Sequence, residues 1–372
     1  MLTKVSTYGF RNLLDQEFYP AAGLNILLGE NAQGKTNVLE AIYLLRHARS
    51  FRPGGLTDYC RWGQSAFALA AMIQLEGEAR QDLRILFENG KRKATVNGNG
   101  CATSQGSLRS GMRVCGLFPE TVAWLEGTAS SQRRYLDQMI VNIDGTYLPL
   151  VRAFHHALAQ RNALLKMSSY PGWDLAMESW EEKLASLGSR IILTRRFWAA
   201  AIQKRVALAG KSWPGDVRVE ISYTPSGEDW AGEDQAEELQ AGLAAGLRRC
   251  RPEEKRYGAT LVGPHRDRVR FFNGGVDLKP CGSRGERWLA AILLLVAEVS
   301  LCREAGYSPI VLMDEIEAEL DNCRAASAAL LVEKFECCQV FATSLGKGAL
   351  WAVCSGKSQV FEVRQGQLRT AA

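Results

Sequence analysis

The sequence predicts an α/β fold in two parts, a largely parallel sheet covered by helices and an inserted, mainly helical lobe. Three observations predict it. The stretch "GENAQGKT", residues 29–36, stands between a short apolar run, Leu24–Leu28, and the helix-periodic "TNVLEAIYLL", which gives strand, glycine loop and helix in that order. A second apolar strand, Ile310–Met313 in "SPIVLMDE", ends on two carboxylates, and a further helix and the strand "CQVFATS" follow it, as in a parallel sheet with helical crossovers. Between these parts the pattern is mostly helical. At 372 residues the chain also exceeds the roughly 250 at which a single core stops growing. The expected division is residues 1–125 with 257–372 for the sheet-bearing head, and 126–256 for the lobe.

Taken in order, the first 45 or so residues read as strand, turn, strand, loop and helix, the helix aligning Val38, Leu39, Ile42 and Leu45 on one face. Residues 67–96 alternate as antiparallel strands do, and Asn97-Gly98 marks a two-residue hairpin. In the lobe, "TYLPLVRAFHHALAQRNALLK" aligns Val151, Phe154, Leu158 and Leu165. After a Pro171-Gly172 break, Trp180, Leu184, Leu187, Ile191 and Trp198 recur at alternating steps of four and three, a seam for a neighbouring helix. A helix over residues 174–208 would be about 50 Å long at about 1.5 Å per residue. Val217, Val219, Ile221 and Tyr223 alternate as a strand, "EDQAEELQAGLAAGLRR" is another helix, and the head resumes near Tyr257.

Composition narrows the function. A net charge of +5 is mild, but Arg46, Arg49 and Arg52 recur at every third position, "KRK" fills residues 91–93, and "RRCRPEEKR" runs over residues 248–256. Each cluster alone reads as solvated surface; three together favour a phosphate-bearing partner. No run approaches the roughly 18 apolar residues a membrane span needs, and the apolar stretch at residues 288–299 contains Glu298. No secretory signal is expected, so the protein is placed in the cytoplasm, its ten cysteines as reduced thiols. Four histidines without ligand-like spacing give no zinc site.

The chemistry concentrates in three places. Residues 29–36 satisfy the phosphate-loop pattern GxxxxGK[ST] at every fixed position, so Gly29, Glu30, Asn31, Ala32, Gln33, Gly34, Lys35, Thr36 and Asn37 are the candidate residues for holding ATP. There the backbone N–H groups cradle phosphates, Lys35 reaches the β- and γ-phosphates, and the Thr36 hydroxyl ligates Mg2+. Asp314 is the second candidate metal residue, acting through water, and Glu315 is placed to orient or deprotonate the attacking water. Ser283 and Gly285 precede a long apolar helix, whose free N–H groups and dipole offer a second anion site. Two γ-phosphate sites in one chain are what a head-to-tail sandwich homodimer requires.

The order loop, serine-glycine helix, Asp-Glu strand, "ELD" and last strand resembles the ABC-type P-loop ATPase heads. Thr36 and Ser283 lie 247 positions apart, which is similar to the SMC-like repair ATPases and too long for the transporter ATPases. More specifically the chain resembles the RecF family, on "FRNL" at residues 10–13, "LNILLGENAQGKTNVLEAIYLL", "RSFR" at 49–52, "FPE" at 118–120, "RRYLD" at 133–137, "QRNALLK", "GPHRD" at 263–267 and "SRGER" at 283–287. The resemblance implies an ATP-dependent homodimer that binds double-stranded and gapped DNA and works with RecR and RecO to load RecA in gap repair and the SOS response. Departures from the family pattern are Glu315 where aspartate is common, Arg268 after "GPHRD", and Glu286 or Arg287 where the signature usually has glutamine.

Where ABC ATPases often carry a switch histidine this chain has Thr343 or Ser344, hydroxyls that can contact a γ-phosphate without titrating, so slow hydrolysis is expected. His265 reads as a buried, hydrogen-bonded histidine. The candidate DNA contacts are Arg49, Arg52, Lys91, Arg92 and Lys93, with recognition of DNA structure rather than sequence. A competing reading is a nucleotide-gated scaffold with negligible turnover.

Overall fold

The computed structural model describes residues 1–75, 80–101, 111–167, 171–213, 217–227, 235–316, 334–335, 337–346 and 358–371. The "ELD" segment at residues 319–321 lies outside them. The chain splits into two compact units, Met1–Ala123 with Ser212–Asp216 and Ser283–Ala372, and Trp124–Lys211 with Val217–Gly282.

In the first unit, six strands form a mainly parallel sheet: β3 (Leu24–Leu28), β8 (Val114–Leu117), β12 (Ile310–Met313), β13 (Gln339–Ser344), β14 (Gln359–Arg364) and β15 (Gln367–Thr370), in the order β15-β14-β3-β13-β12-β8. Only β15 runs antiparallel to its neighbour. Helix α1 (Lys35–His47) follows β3 and contacts both this sheet and a six-stranded antiparallel one. The second sheet holds β1 (Leu2–Tyr8), β2 (Gln16–Phe18), β4 (Phe67–Ile73), β5 (Gln81–Glu88), β6 (Lys91–Val96) and β7 (Asn99–Cys101). Contacting two sheets, α1 is buried nearly all round, and Val38, Leu39, Ile42, Tyr43 and Leu44 join one core with residues of both. Asn89-Gly90 and Asn97-Gly98 each close a two-residue hairpin with positive φ at both positions, the turn whose twist matches the flanking strands. The helix Arg284–Glu304 packs on β8.

The second unit is helical around a small sheet of β9 (Val219–Thr224), β10 (Arg268–Asn273) and β11 (Val276–Asp277). The expected return to the head at residue 257 comes instead at Ser283, because β10 pairs with β9 over its whole length and keeps residues 257–282 with the lobe. The long helix is Trp173–Lys211, three residues longer at its C-terminus than the apolar pattern indicated. Its buried face differs as well. Leu184 and Ile191 are buried as expected, but Trp180, Leu187 and Trp198 are only half buried, and the face continues through Glu181, Gly188 and Arg195.

Two ionic clusters explain that seam. Arg161 Nη2 donates to Glu181 Oε1 at 2.9 Å and lies 2.6 Å from Glu254 Oε2, while its Nη1 donates to Thr260 Oγ1 at 2.8 Å. Arg251 reaches Glu181 from the other side at 2.6 Å. Farther along, Arg195 grips Asp137 with Nε and Nη2, both at 2.9 Å, and Asp267 with Nη1 at 3.1 Å. Tyr147 donates to Asp137 and Tyr223 to Asp267. Removing one partner of such a buried set strands the others, so Arg161→Met is expected to destabilise the protein by about 3–5 kcal/mol. A thermal melt displaced by less than a degree would count against the set as a structural lock.

His265 is held as expected, with its Nε2 at 2.9 Å from the Thr260 carbonyl. Burial is the main influence on the ring and pulls its pKa down from the usual histidine value of 6.5 to about 4. The folded protein therefore keeps the ring neutral where the unfolded chain takes up a proton. Its contribution to stability is full above about pH 6.5 and is lost as pH falls toward about 4. His265→Gln should flatten the dependence of the urea midpoint on pH across that window; an unchanged slope would refute the assignment.

No helix among the described residues is long and apolar enough to cross a membrane.

Candidate functional site

Residues 29–36 leave the carboxyl end of β3 and enter α1, with Ala32 and Gly34 in left-handed conformations at φ +62 and +110. A side chain at Gly29 would bring its Cβ to 2.4 Å from the Val363 carbonyl, so backbone alone fits against β14. Lys35 folds back under the loop, its Nζ donating to the carbonyls of Gly29 at 2.6 Å and Glu30 at 2.7 Å. Glu30, Asn31 and Ala32 form the exposed tip, Gly34 and Lys35 are buried, and Thr36 and Asn37 are half buried in the first turn of α1.

Two braces hold this loop, neither of them assigned from sequence. On one side the Asn12 amide of "FRNL" donates to the Ala32 carbonyl at 3.2 Å and accepts from Asn37 Nδ2 at 2.7 Å. On the other, the turn between β14 and β15 donates from Gln365 N to Gln33 Oε1 at 2.7 Å and from Gly366 N to the Gln33 carbonyl at 2.9 Å. The loop is therefore shaped before any ligand arrives, which reduces the ordering cost of binding.

Asp314 follows β12 at the same end of the sheet and is buried; its carboxylate accepts from Thr343 Oγ1 at 2.7 Å. Glu315 is exposed and takes φ +53, a conformation costing a non-glycine residue on the order of 1–3 kcal/mol. Lys35 registers these acids. Partial burial pulls its ammonium below the usual lysine range, and Asp314 and then Glu315 act in the opposite direction. Lys35, Asp314 and Glu315 thus share one electrostatic site.

The motifs "RSFR" and "FPE" also converge here, through packing. Phe51 and Phe118 stack at 3.7 Å between centroids, and Tyr43 of α1 meets both edge-on. That places Arg52 and Glu120 beside α1. Arg52 donates to Asn37 Oδ1 at 2.8 Å and lies 3.6 Å from Glu40 and 3.8 Å from Glu120. Glu40, fully buried in α1, also takes a two-pronged contact from Arg11 at 2.9 and 2.7 Å and one from Ser50. Burial is the largest influence on Glu120 and raises its pKa; Arg52 opposes this, and Asp314 and Glu40 add to it.

The expected DNA contacts separate accordingly. Arg49, Lys91 and Lys93 are exposed. Arg52 is turned into the carboxylates just described, and Arg92 caps α1 by donating to the Ala48 carbonyl. On β6 alternate side chains face opposite ways, so "KRK" cannot present all three cations to one partner.

Ser283 is the N-cap of the helix Arg284–Glu304, with Gly285 in its first turn. Its hydroxyl accepts from Glu286 N at 3.3 Å, while the Glu286 carboxylate accepts from Ser283 N and Oγ, each at 2.8 Å. This capping box satisfies Ser283 N and Glu286 N locally, and none of the hydrogen bonds of Ser283 among the described residues goes to the phosphate loop.

Comparison with known proteins agrees with this architecture. The profile of the RecF/RecN/SMC N terminal domain matches residues 1–369. DNA replication and repair protein RecF of Geotalea daltonii is 32% identical over 345 residues, covering 92% of each chain. That of a Synechococcus species is 32% identical over 369 residues, covering 96% of this chain and 95% of its own. A solved structure of the recombination mediator protein RecF-ATP in the RecFOR pathway superposes with a TM-score of 0.89 at 27% identity, over 100% of this chain and 99% of that one. An Smc head from Pyrococcus furiosus shares the fold at a TM-score of 0.58 and 14% identity. With an ABC-type head assembled from both ends of the chain and similarity to these relatives over nearly its whole length, the protein belongs to the RecF/RecN/SMC family, as one of its RecF members.

Proposed function

We propose that the protein is an ATP-dependent, DNA-binding recombination mediator. ATP and magnesium would drive a head-to-tail homodimer that clamps double-stranded DNA near single-strand gaps, and slow hydrolysis would release it. In this role it acts with RecR and RecO to help load RecA in gap repair and the SOS response. The carrying observation is that the loop ending in Lys35 leaves β3, and Asp314 leaves β12, at the carboxyl end of one parallel sheet, with only glycine able to line that loop at Gly29. The relatives named DNA replication and repair protein RecF, and the neighbour described with ATP, support the same reading.

The residues present suit the nucleotide. The N–H groups of residues 29–36 and the positive end of α1 would hold the phosphates, with Lys35 as the cation among them. Thr36 and Asp314 would hold magnesium, which draws charge from the phosphates when bound. Glu315, exposed on its turn, would orient the attacking water or take its proton. Ser283 and Gly285 of a second copy would close over the γ-phosphate.

For DNA we propose Arg49, Lys91 and Lys93, whose side chains face solvent. Fluorescence anisotropy on a gapped duplex tests the whole reading. Binding should tighten with ATP over ADP and weaken by about 10-fold or more between 50 and 200 mM salt if several phosphates are neutralised. Lys91→Glu with Lys93→Glu should weaken it further without affecting ATP binding. Retention of DNA that ignores the nucleotide would overturn the proposal.

A further inference from the structure

Thr343 stands near the end of β13 and is buried, one strand away from the acidic pair. Its single hydroxyl makes two bonds to consecutive residues: the proton goes to Asp314 Oδ1 at 2.7 Å, and the oxygen accepts from Glu315 N at 3.0 Å. A hydroxyl has one proton to give. Once it is spent on Asp314, Thr343 has no donor left for a phosphate oxygen, which departs from the expectation that this position contacts the γ-phosphate. Ser344 is committed elsewhere, donating to the carbonyl of Gly346 at 2.8 Å.

What the hydroxyl holds is unusual. Glu315 sits in a left-handed conformation without being glycine, asparagine or aspartate, at φ +53. Its amide finds its partner in Thr343, and the direction in which its exposed carboxylate leaves the chain follows from that backbone. The same oxygen fixes the neighbouring carboxylate. We propose that Thr343 is a positioning residue for the acid pair: it acts through Asp314 and Glu315, keeping both aimed into the site, and does not itself touch the nucleotide. This rests on the ATPase reading above.

The test compares Thr343→Val, which keeps the β-branched shape suited to β13 and removes both bonds, with Thr343→Ser, which keeps the hydroxyl. Three quantities are measured on the full chain: turnover at saturating ATP, the dissociation constant of a non-hydrolysable ATP analogue with magnesium, and amide exchange of a peptide spanning residues 313–316 without nucleotide. In Thr343→Val turnover should fall by about 10- to 100-fold, as expected for misplaced reacting groups. Analogue affinity should stay within about 3-fold, and exchange at Glu315 should quicken by about 10-fold once its amide loses its partner. Thr343→Ser should restore all three toward wild type.

Affinity and turnover falling together, with exchange unchanged, would assign the hydroxyl to the nucleotide and overturn the proposal. So would a Thr343→Val protein that matches wild type throughout. If wild type and Lys35→Ala hydrolyse ATP alike, the ATPase reading fails instead, and the exchange measurement alone decides whether Thr343 holds Glu315.

Discussion

Lys35→Ala is expected to weaken ATP binding by at least about 100-fold and reduce turnover to background. Hydrogen bonds from a charged donor contribute about 1.5–3 kcal/mol each, and Lys35 makes two at 2.6 and 2.7 Å within the loop. The ammonium has a third proton left for a phosphate oxygen at the same place. The loss is larger than two bonds, because Lys35 is also the cation that answers Asp314 and Glu315. Without it a polyphosphate meets an uncompensated pair of acids. Equilibrium binding of a fluorescent ATP analogue decides the matter, with thermal melting to confirm the fold. Affinity within about 3-fold of wild type would mean that residues 29–36 hold no nucleotide.

Ser283→Arg should abolish ATP-driven dimerisation while leaving nucleotide binding intact. In the sandwich reading Ser283 of one copy closes on the γ-phosphate bound by the other, and an arginine there is too large to dock. The loss of the cap costs the helix only about 1 kcal/mol, so the variant should remain folded. Sedimentation velocity with ATP-magnesium and with ADP reads the outcome, wild type shifting to dimer only with ATP. Glu286→Gln supplies the opposite sign. The Glu286 carboxylate covers Ser283 N and Oγ at 2.8 Å, so an arriving phosphate must displace a like charge. Removing that charge should lower the protein concentration needed for dimerisation by about 2- to 10-fold, the usual scale of a charge at a helix terminus. If wild type and Ser283→Arg respond identically to ATP, the sandwich is wrong.

The phosphate loop and the acidic strand were legible because their chemistry dictates residue types at fixed spacing: Gly29, Gly34, Lys35 and Asp314 lie where strand, loop and helix order place them. The lobe was less legible because its seam is partly ionic. A search for apolar period passes over Glu181 and Arg195, which are buried only because Arg161, Asp137 and Asp267 come to them from elsewhere in the chain. Basic clusters misled for a related reason. Arg52 and Arg92 look like surface charge until Glu40, Glu120 and the end of α1 claim them. The braces from Asn12 and Gln365 had no chance of being seen locally: the second joins residues 332 apart in sequence. The motifs "FRNL", "RSFR" and "FPE" did signal that something was there, though only packing on Tyr43 shows what.

That distant brace sets a timetable for biosynthesis. The loop at residues 29–36 emerges early from the ribosome, but β13, β14 and the turn at Gln365 and Gly366, which complete its walls, are among the last segments made. At about 5–20 residues per second the loop waits roughly 15 to 70 seconds for them. During that interval the nascent chain exposes both edges of β3 and carries no finished nucleotide site. A head assembled this way can become competent to bind ATP only once translation is nearly done, so a ribosome stalled before residue 359 would present apolar strand edges to chaperones rather than a working switch.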